Sequence, residues 1–362
     1  MFTEADRKHM ARALELARRG LYTTTPNPRV GCVLVRDSEV IGEGWHERAG
    51  GPHAEVVALK AAGPRAKGST AYVTLEPCAH HGRTPPCSEA FIRAGVGEVV
   101  AALQDPNPLV AGKGLDALRA SGIETRCGLL ENEARELNLG FMSRMTRGRP
   151  WLRMKIAASL DGRTALSNGR SQWITGPDAR RDGHHWRAQA CAILTGIGTV
   201  TEDDPQLTVR DVDTPRQPVR VVVDSRLEIP TAARILGPGT LIAAAGDDSS
   251  RRAALQDCGA EVIVLPNASG KVDLAALMAE LARRGMNEVH IEAGHKLNGS
   301  LLREKLVDEL LVYLAPSILG DAARGMFHLP DLADLSGRHE LELREVRQLG
   351  ADLRVLARVK GA

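Results

Sequence analysis

Three side chains able to bind a soft divalent metal lie close together in the chain. His53 opens the triplet His53-Ala54-Glu55, and Pro77-Cys78 begins a run that closes at Pro86-Cys87. One imidazole and two thiolates are good zinc ligands, and three protein ligands leave a fourth position for water. Two thiolates balance the charge of the metal, and zinc brings the pKa of bound water from ~15.7 towards ~7. Glu55 is then the candidate proton carrier, taking a proton from that water and delivering it to a leaving group. Two residues after His53 it would point away on an ideal helix. With His53 at the helix cap, outside the regular turn, both side chains can face the metal.

The order H-x-E, then P-C, then a second C is the signature of zinc deaminases, in which the Glu is not a ligand. The usual form has two residues between the cysteines, and here there are eight. Singly, each cysteine reads as a buried thiol and His53 as an ordinary histidine; their conjunction points to catalysis. Asn27 of Pro26-Asn27-Pro28 and His46 of Gly44-Trp45-His46 carry polar groups suited to a substrate, or equally to a turn and a surface. His80 and His81 could substitute as ligands, yet their place between the cysteines fits substrate or solvent better.

A second group of polar residues lies further on. Glu292-Ala293-Gly294-His295-Lys296-Leu297-Asn298-Gly299-Ser300 follows the strand-like Glu288–Ile291 and runs into a helical pattern. Such a junction offers free backbone N–H groups and a positive helix end to phosphate. Gly196-Ile197-Gly198 lacks the third glycine of a dinucleotide fingerprint, since residue 201 is Thr, so no Rossmann domain is expected. Lys155, Asp161, Ser171, Trp173, Asp203, Arg210 and Asp224-Ser225-Arg226 recur at predicted strand ends, where open α/β sheets bind ligands. Arg187 lies on a predicted helix and could reach a phosphate.

The elements that must hold these groups form two α/β series. In the first, Thr3 and Asp6 make a capping box ahead of Met10, Ala13, Leu14 and Ala17 at helical spacing. Strands are expected at Val30–Val35, Ala71–Leu75 and Val99–Leu103, and helices at Glu55–Ala62, Ser88–Ala94, Leu115–Ala120 and Glu131–Met145. A polar stretch, Thr146 to Pro150, marks a boundary. Beyond it, strands are expected at Leu152–Ala157, Ala192–Thr195, Val219–Val223, Thr240–Ala244, Glu261–Leu265, Glu288–Ile291, Glu309–Leu314 and Leu353–Val359. Helices are expected at Pro177–Gln189, Ser249–Cys258, Val272–Arg284 and Leu297–Lys305. Two α/β domains follow, residues 1–146 and 150–362.

Composition narrows the function. The 362 residues carry a formal charge of +2, with +3 in residues 1–149. That is too little for a dedicated nucleic-acid binder, while local Arg and Lys clusters suffice for a small anion. No apolar run reaches ~18 residues and Met1–Gly20 lacks a signal-peptide core, so no membrane partner and a cytoplasmic address are expected. Cys32, Cys127, Cys191 and Cys258 have no paired spacing.

Pro26-Asn27-Pro28-x-Val30-Gly31, His53-Ala54-Glu55 and Pro77-Cys78-x-His80-x-Gly82-x-Thr84-Pro85-Pro86-Cys87 resemble the deaminase half of the bifunctional riboflavin-biosynthesis deaminase/reductase family. The long intercysteine loop separates the chain from cytidine and transfer-RNA adenosine deaminases. Lys155-Ile156-Ala157-x-Ser159-x-Asp161-Gly162, Ser171-x-Trp173-Ile174-Thr175, Thr199-x-x-x-Asp203-Asp204-Pro205-x-Leu207-Thr208-x-Arg210, Asp224-Ser225 and Glu292-Ala293-Gly294 resemble its reductase half. The resemblance implies a cytidine-deaminase-like zinc domain followed by a dihydrofolate-reductase-like α/β domain. It implies Zn2+ on His53, Cys78 and Cys87, with Glu55 as proton carrier. It also implies NADPH against Ala157, Trp173, Thr199, Asp203, Ser225 and Gly294–Ser300 (His295, Lys296, Leu297, Asn298 and Gly299 between). Ser171, Arg187, Leu207, Arg210 and Glu292 would meet a phosphorylated pyrimidine substrate, with Lys155, Asn27 and His46 as further candidates. The expected reactions are hydrolytic loss of a ring amine, then reduction of a ribosyl to a ribityl chain. A homo-oligomer is compatible with this reading. Rival readings are a nucleic-acid base deaminase with an accessory domain and a non-catalytic zinc/nucleotide-binding module.

Overall fold

The computed structural model describes residues 1–79, 85–108 and 110–361; His80 and His81 lie outside them. The chain divides into two compact units, Met1–Gly148 and Arg149–Ala362.

The first unit is a five-stranded sheet between two helical layers. Its strands are β1 (Gly31–Arg36), β2 (Glu39–Trp45), β3 (Thr70–Val73), β4 (Glu98–Ala101) and β5 (Glu124–Cys127), in the order β2-β1-β3-β4-β5. β1 runs antiparallel to both neighbours, and β3, β4 and β5 are mutually parallel. Alternate residues of β1 enter opposite cores. Cys32 and Leu34 pack with α2 (Ala54–Ala62), α3 (Cys87–Ala94) and α4 (Lys113–Ala120), whereas Val33 and Val35 face the core of α1 (Glu4–Arg18). Burial on both faces explains the uninterrupted apolar run.

The Thr3–Asp6 capping box is present at the start of α1. The helix expected over 131–145 is instead two, α5 (Glu131–Leu137) and α6 (Leu139–Arg147). They part at Asn138, whose buried side chain accepts from the Arg29 N–H at 2.8 Å and donates to the Arg29 carbonyl at 2.9 Å. Pairing with a distant backbone outweighs continuing the helix. Strand β2 was not expected, because Gly42 and Gly44 dilute its apolar pattern. Gly44 is required by close packing: a Cβ there would lie 2.5 Å from the Ala54 carbonyl oxygen of α2.

The second unit is built on a nine-stranded sheet. Its strands are β6 (Trp151–Ser159), β8 (Ala192–Gly196), β9 (Val219–Val223), β10 (Thr240–Ala244), β11 (Glu261–Val264), β12 (Glu288–Ile291), β13 (Glu309–Ala315), β15 (Leu341–Leu349) and β16 (Asp352–Val359). The order is β11-β10-β9-β8-β12-β6-β13-β16-β15, with β7 (Arg163–Ala165) and β14 (Arg324–Gly325) forming a separate ribbon. The seven strands from β11 to β13 are parallel; β16 and β15 add an antiparallel edge. β12 enters between β6 and β8, far from both in sequence. One face packs α10 (Leu274–Arg283) and α11 (His295–Arg303) over Leu152, Met154, Leu194 and Ile291. The opposite face meets α7 (Pro177–Gln189), α9 (Ser249–Asp257) and the first turns of α8 (Ile197–Asp203).

Eight of the nine main strands match expectation. β15 did not announce itself: all but its last residue are exposed, so no inward-facing apolar series marks it.

Candidate functional sites

In the first unit two of the three candidate metal ligands stand at helix starts. His53 is the N-cap of α2, in extended conformation, and Cys87 is the first residue of α3. Cys78 follows β3. The donor atoms of His53, Cys78 and Cys87 lie within 4.8 Å of one another. His53 Nδ1 is 3.3 Å from Cys87 Sγ and 3.7 Å from Cys78 Sγ. A tetrahedral zinc with ordinary Zn–S and Zn–N bonds would set such pairs about 3.5 Å apart. The donor set and its spacing therefore fit zinc. The backbone N–H of Cys87 also donates to Cys78 Sγ at 3.3 Å. Hydrogen bonding from Cys87, opposed by burial and helped by His53, holds the Cys78 thiol below its usual range. Cys87 is pushed the other way by Cys78 and by burial.

Glu55 sits in the first turn of α2 and is only 3% exposed. Burial raises its carboxyl to about 6, with the nearby Cys78 adding to the rise and His53 opposing it. Asn27 and His46 come together: Asn27 Nδ2 lies 3.0 Å from His46 Nε2, and His46 Nδ1 lies 2.9 Å from the Pro52 carbonyl. The His46 and His53 rings meet edge to face at 5.5 Å. Burial lowers the His46 pKa, so a neutral ring can accept from Asn27 while donating to Pro52.

Sequence reasoning missed Glu76, two residues before Cys78. Its buried carboxylate accepts N–H bonds from Asp105, Gly112, Gly114 and Leu115 at 2.9–3.2 Å. Three donors at the head of α4 and one from the loop after β4 thereby pin the chain entering Cys78. Gly114 permits this, since a Cβ there would lie 1.9 Å from the Pro77 carbonyl oxygen. The only sequence signal is a Glu closing an apolar run. Asp105 was missed as well. Burial, reinforced by Glu76 and Cys78 and partly offset by the Asn107 N–H, raises its carboxyl to about 6.

In the second unit Lys155, Arg187 and Glu292 meet at the carboxyl ends of the central strands. Arg187 grips Glu292 with Nε and Nη2, the latter at 2.9 Å, and Lys155 Nζ stands 3.5 Å from the same carboxylate. Burial opposes ionisation of Glu292, but Arg187 and Lys155 overcome it and hold the carboxyl well below its usual range. Arg187 Nη1 also donates to the Thr208 carbonyl at 3.0 Å. Ser171 Oγ donates to Asp203 Oδ1 at 3.3 Å. Trp173 is 70% exposed, with the Arg180 guanidinium 4.8 Å from its ring centre. Ala157 lies on β6 opposite Tyr313.

Gly294 is the N-cap of α11, with no side-chain cap, so the N–H groups of the first turn are presented outward. A Cβ on Gly294 would lie 3.8 Å from Thr199 Oγ1, which places Thr199 beside that helix end. An open nine-residue helix start beside a hydroxyl fits the phosphates of a dinucleotide. The rest of the 294–300 run is largely occupied within the protein. Asn298 donates to the Met326 carbonyl, and Ser300 Oγ donates to the Lys296 carbonyl. Gly299 packs where a Cβ would strike the His328 carbonyl oxygen at 2.0 Å. His295 is half-buried against His328, Lys296 is exposed, and Leu297 packs on the main core. Ser225 Oγ accepts from the Val272 N–H at 3.2 Å. The Leu207 side chain is buried with Ile193 and Val222. Arg210 is exposed.

Among the described residues, no helix is long and apolar enough to cross a membrane. The profile of the cytidine and deoxycytidylate deaminase zinc-binding region matches residues 3–103, and that of the RibD C-terminal domain matches residues 150–355. The riboflavin biosynthesis protein RibD of Escherichia coli is 50% identical over 361 residues, covering 96% of this chain and 98% of that protein. Its Haemophilus influenzae counterpart is 48% identical, covering 99% of each. The solved structure of Acinetobacter baumannii RibD superposes with a TM-score of 0.92 at 45% identity, covering 99% of both chains. A Thermotoga maritima diaminohydroxyphosphoribosylaminopyrimidine deaminase/5-amino-6-(5-phosphoribosylamino)uracil reductase gives 0.87 at 32%, covering 98% of this chain and 99% of that one. With a zinc-binding deaminase fold ahead of a dihydrofolate-reductase-like domain, and relatives of the same two-part build along nearly its whole length, this chain belongs to the RibD family of bifunctional, zinc- and NADPH-dependent deaminase/reductases of riboflavin biosynthesis.

Proposed function

We propose that residues 1–146 deaminate 2,5-diamino-6-(5-phosphoribosylamino)pyrimidin-4(3H)-one, and that residues 150–362 reduce the ribosyl chain of the product. The observation that carries the first assignment is Glu55, buried beside the three zinc-ligand side chains. His53, Cys78 and Cys87 would hold the metal. Bound zinc supplies Lewis acidity and lowers the pKa of water at its open position. Glu55 takes up a proton as carboxylate and, as carboxylic acid, gives it to the departing amine; burial makes both forms accessible near neutrality. The linked Asn27 and His46 side chains orient the pyrimidine.

In the second unit Lys155, Arg187, Arg210, Ser171 and Glu292 bind the phosphorylated substrate, with Leu207 contributing its backbone. NADPH supplies hydride to the ribose carbon. The first turn of α11 from Gly294 to Leu297, together with Ala157, Trp173, Thr199 and Asp203, would hold the cofactor. Ser225, Asn298, Gly299 and Ser300 are the further cofactor-binding candidates that the family resemblance implies. The protein works in the cytoplasm on a small substrate and does not engage nucleic acid.

The chain also self-associates through β15. This edge strand exposes Leu341, Leu343 and Val346. β15 carries a bulge between Leu343 and Glu345, and a second copy would meet this edge chiefly through Leu343 and Val346. Light scattering of wild type and Leu343→Lys decides this: a dimer lost in the variant supports it, and a wild-type monomer removes it.

The main test is one incubation of zinc-loaded protein with the diaminopyrimidine ribosyl phosphate. Ammonia release followed by NADPH oxidation is expected. Ammonia from an RNA substrate, with none from the pyrimidine, would overturn the assignment.

A further inference from the structure

The segment Leu207 to Arg210 joins no sheet, yet its backbone polar groups need partners. Side chains supply them. Arg187 Nη1 donates to the Thr208 carbonyl at 3.0 Å. Gln217 brackets Val209, accepting from its N–H at 2.8 Å and donating to its carbonyl at 3.1 Å. His184 Nδ1 accepts the Arg210 N–H at 3.2 Å. His184 and Arg187 lie one turn apart on α7 and therefore on the same side of the helix. Arg187 continues to Glu292, so one face of α7 ties the Arg210 segment to the carboxylate between Lys155 and Arg187.

We infer that His184 is a positioning residue for the reductase site, its Nδ1 fixing the backbone from which Arg210 reaches the substrate. This rests on the substrate-site reading given above. The ring is 6% exposed, and its other nitrogen, Nε2, stands 3.6 Å from Asp211 Oδ2. An acceptor at Nδ1 requires the proton on Nε2, the nitrogen facing Asp211. Four charged groups bear on the ring: Arg187 from α7, Arg210 and Asp211 from the segment, and Glu292 beyond β12. Burial first, then Arg187, lowers the histidine to about 4, with Asp211 and Glu292 opposing. The neutral, accepting form therefore prevails at neutral pH.

The test uses the full-length, zinc-loaded enzyme and the deaminated substrate. In His184→Leu, the KM for that substrate should rise about tenfold while the KM for NADPH and the ammonia-release rate stay put. In His184→Asn, whose Oδ1 can replace Nδ1 as acceptor, the substrate KM should return close to wild type. Amide hydrogen exchange across Arg210 should quicken in the Leu variant and not in the Asn variant. Unchanged exchange in His184→Leu overturns the contact. An Asn variant as impaired as the Leu variant overturns the acceptor role, because ring packing would then be what matters. If exchange quickens but substrate KM is unchanged, Arg210→Met identifies the failure. A raised KM in Arg210→Met sinks the positioning role of His184, whereas an unchanged KM there sinks the substrate-site reading itself.

Discussion

The two units place reactive groups by opposite means. In the first, His53 and Cys87 stand at helix starts, and Cys78 is steadied by Glu76, whose carboxylate is gripped by the head of α4. His53 and Cys87 are thus positioned by local chain geometry, which sequence spacing can carry, and only Cys78 leans on a more distant segment. In the second, Lys155 comes from β6, Arg187 from α7 and Glu292 from the end of β12. They meet only because β12 lies beside β6, so no local spacing encodes their contact. A site set by helix caps survives as a motif; a site set by strand order exists only once the sheet is complete.

This contrast is broken most sharply by Glu55→Gln. Deamination should fall about a thousandfold, with zinc content and NADPH-dependent reduction of the deaminated substrate retained. Equal loss of both activities would mean that the two sites do not operate separately. Arg187→Met tests the other side. It leaves the buried Glu292 with Lys155 and His290, each 3.5 Å away, and no guanidinium, which should cost about 3 kcal/mol of stability in the second unit. It should also cut reductase kcat/KM about a hundredfold, while ammonia release continues. Reductase kinetics and a thermal melt would show it.

The smallest effect concerns the frame of the first unit. Asp6 accepts from Tyr72 at 2.6 Å and from Arg126 at 3.1 Å. Burial disfavours its charge, but Arg126, Tyr72 and Thr3 prevail and hold the carboxyl below its ordinary value of 3.8. The stabilisation is thus complete above that value and is lost as pH falls towards the folded-state pKa. Asp6→Asn should cost about 2 kcal/mol at pH 7. The gap in Tm from wild type should narrow below pH ~3.5; a gap independent of pH would assign the effect to packing.

Much of the frame was legible because both sheets are covered on two faces. Val30–Val35 reads as a continuous apolar run for that reason, and Val219–Val223 as one broken only by Arg220. The grouping of His53, Cys78 and Cys87 was legible because residue type and spacing coincide. Glu76 was not, since its role depends on four N–H groups some thirty to forty residues downstream. β2 was hidden by the glycines that let α2 approach, and β15 by its exposure. The Arg187–Glu292 contact spans 105 positions, and the family resemblance pointed to both residues without revealing that they bind each other.

The position of β12 has a consequence for how the chain is made. β6 and β8 are synthesised early, yet the strand that separates them comes more than ninety residues after β8. Until residues 288–291 have left the ribosome, β6 and β8 each keep an unpaired edge in what becomes the centre of the sheet. Such edges invite wrong pairing, and non-local strand insertion is slow. A nascent chain halted after β11 would therefore hold its most aggregation-prone surface where the finished protein is most deeply buried.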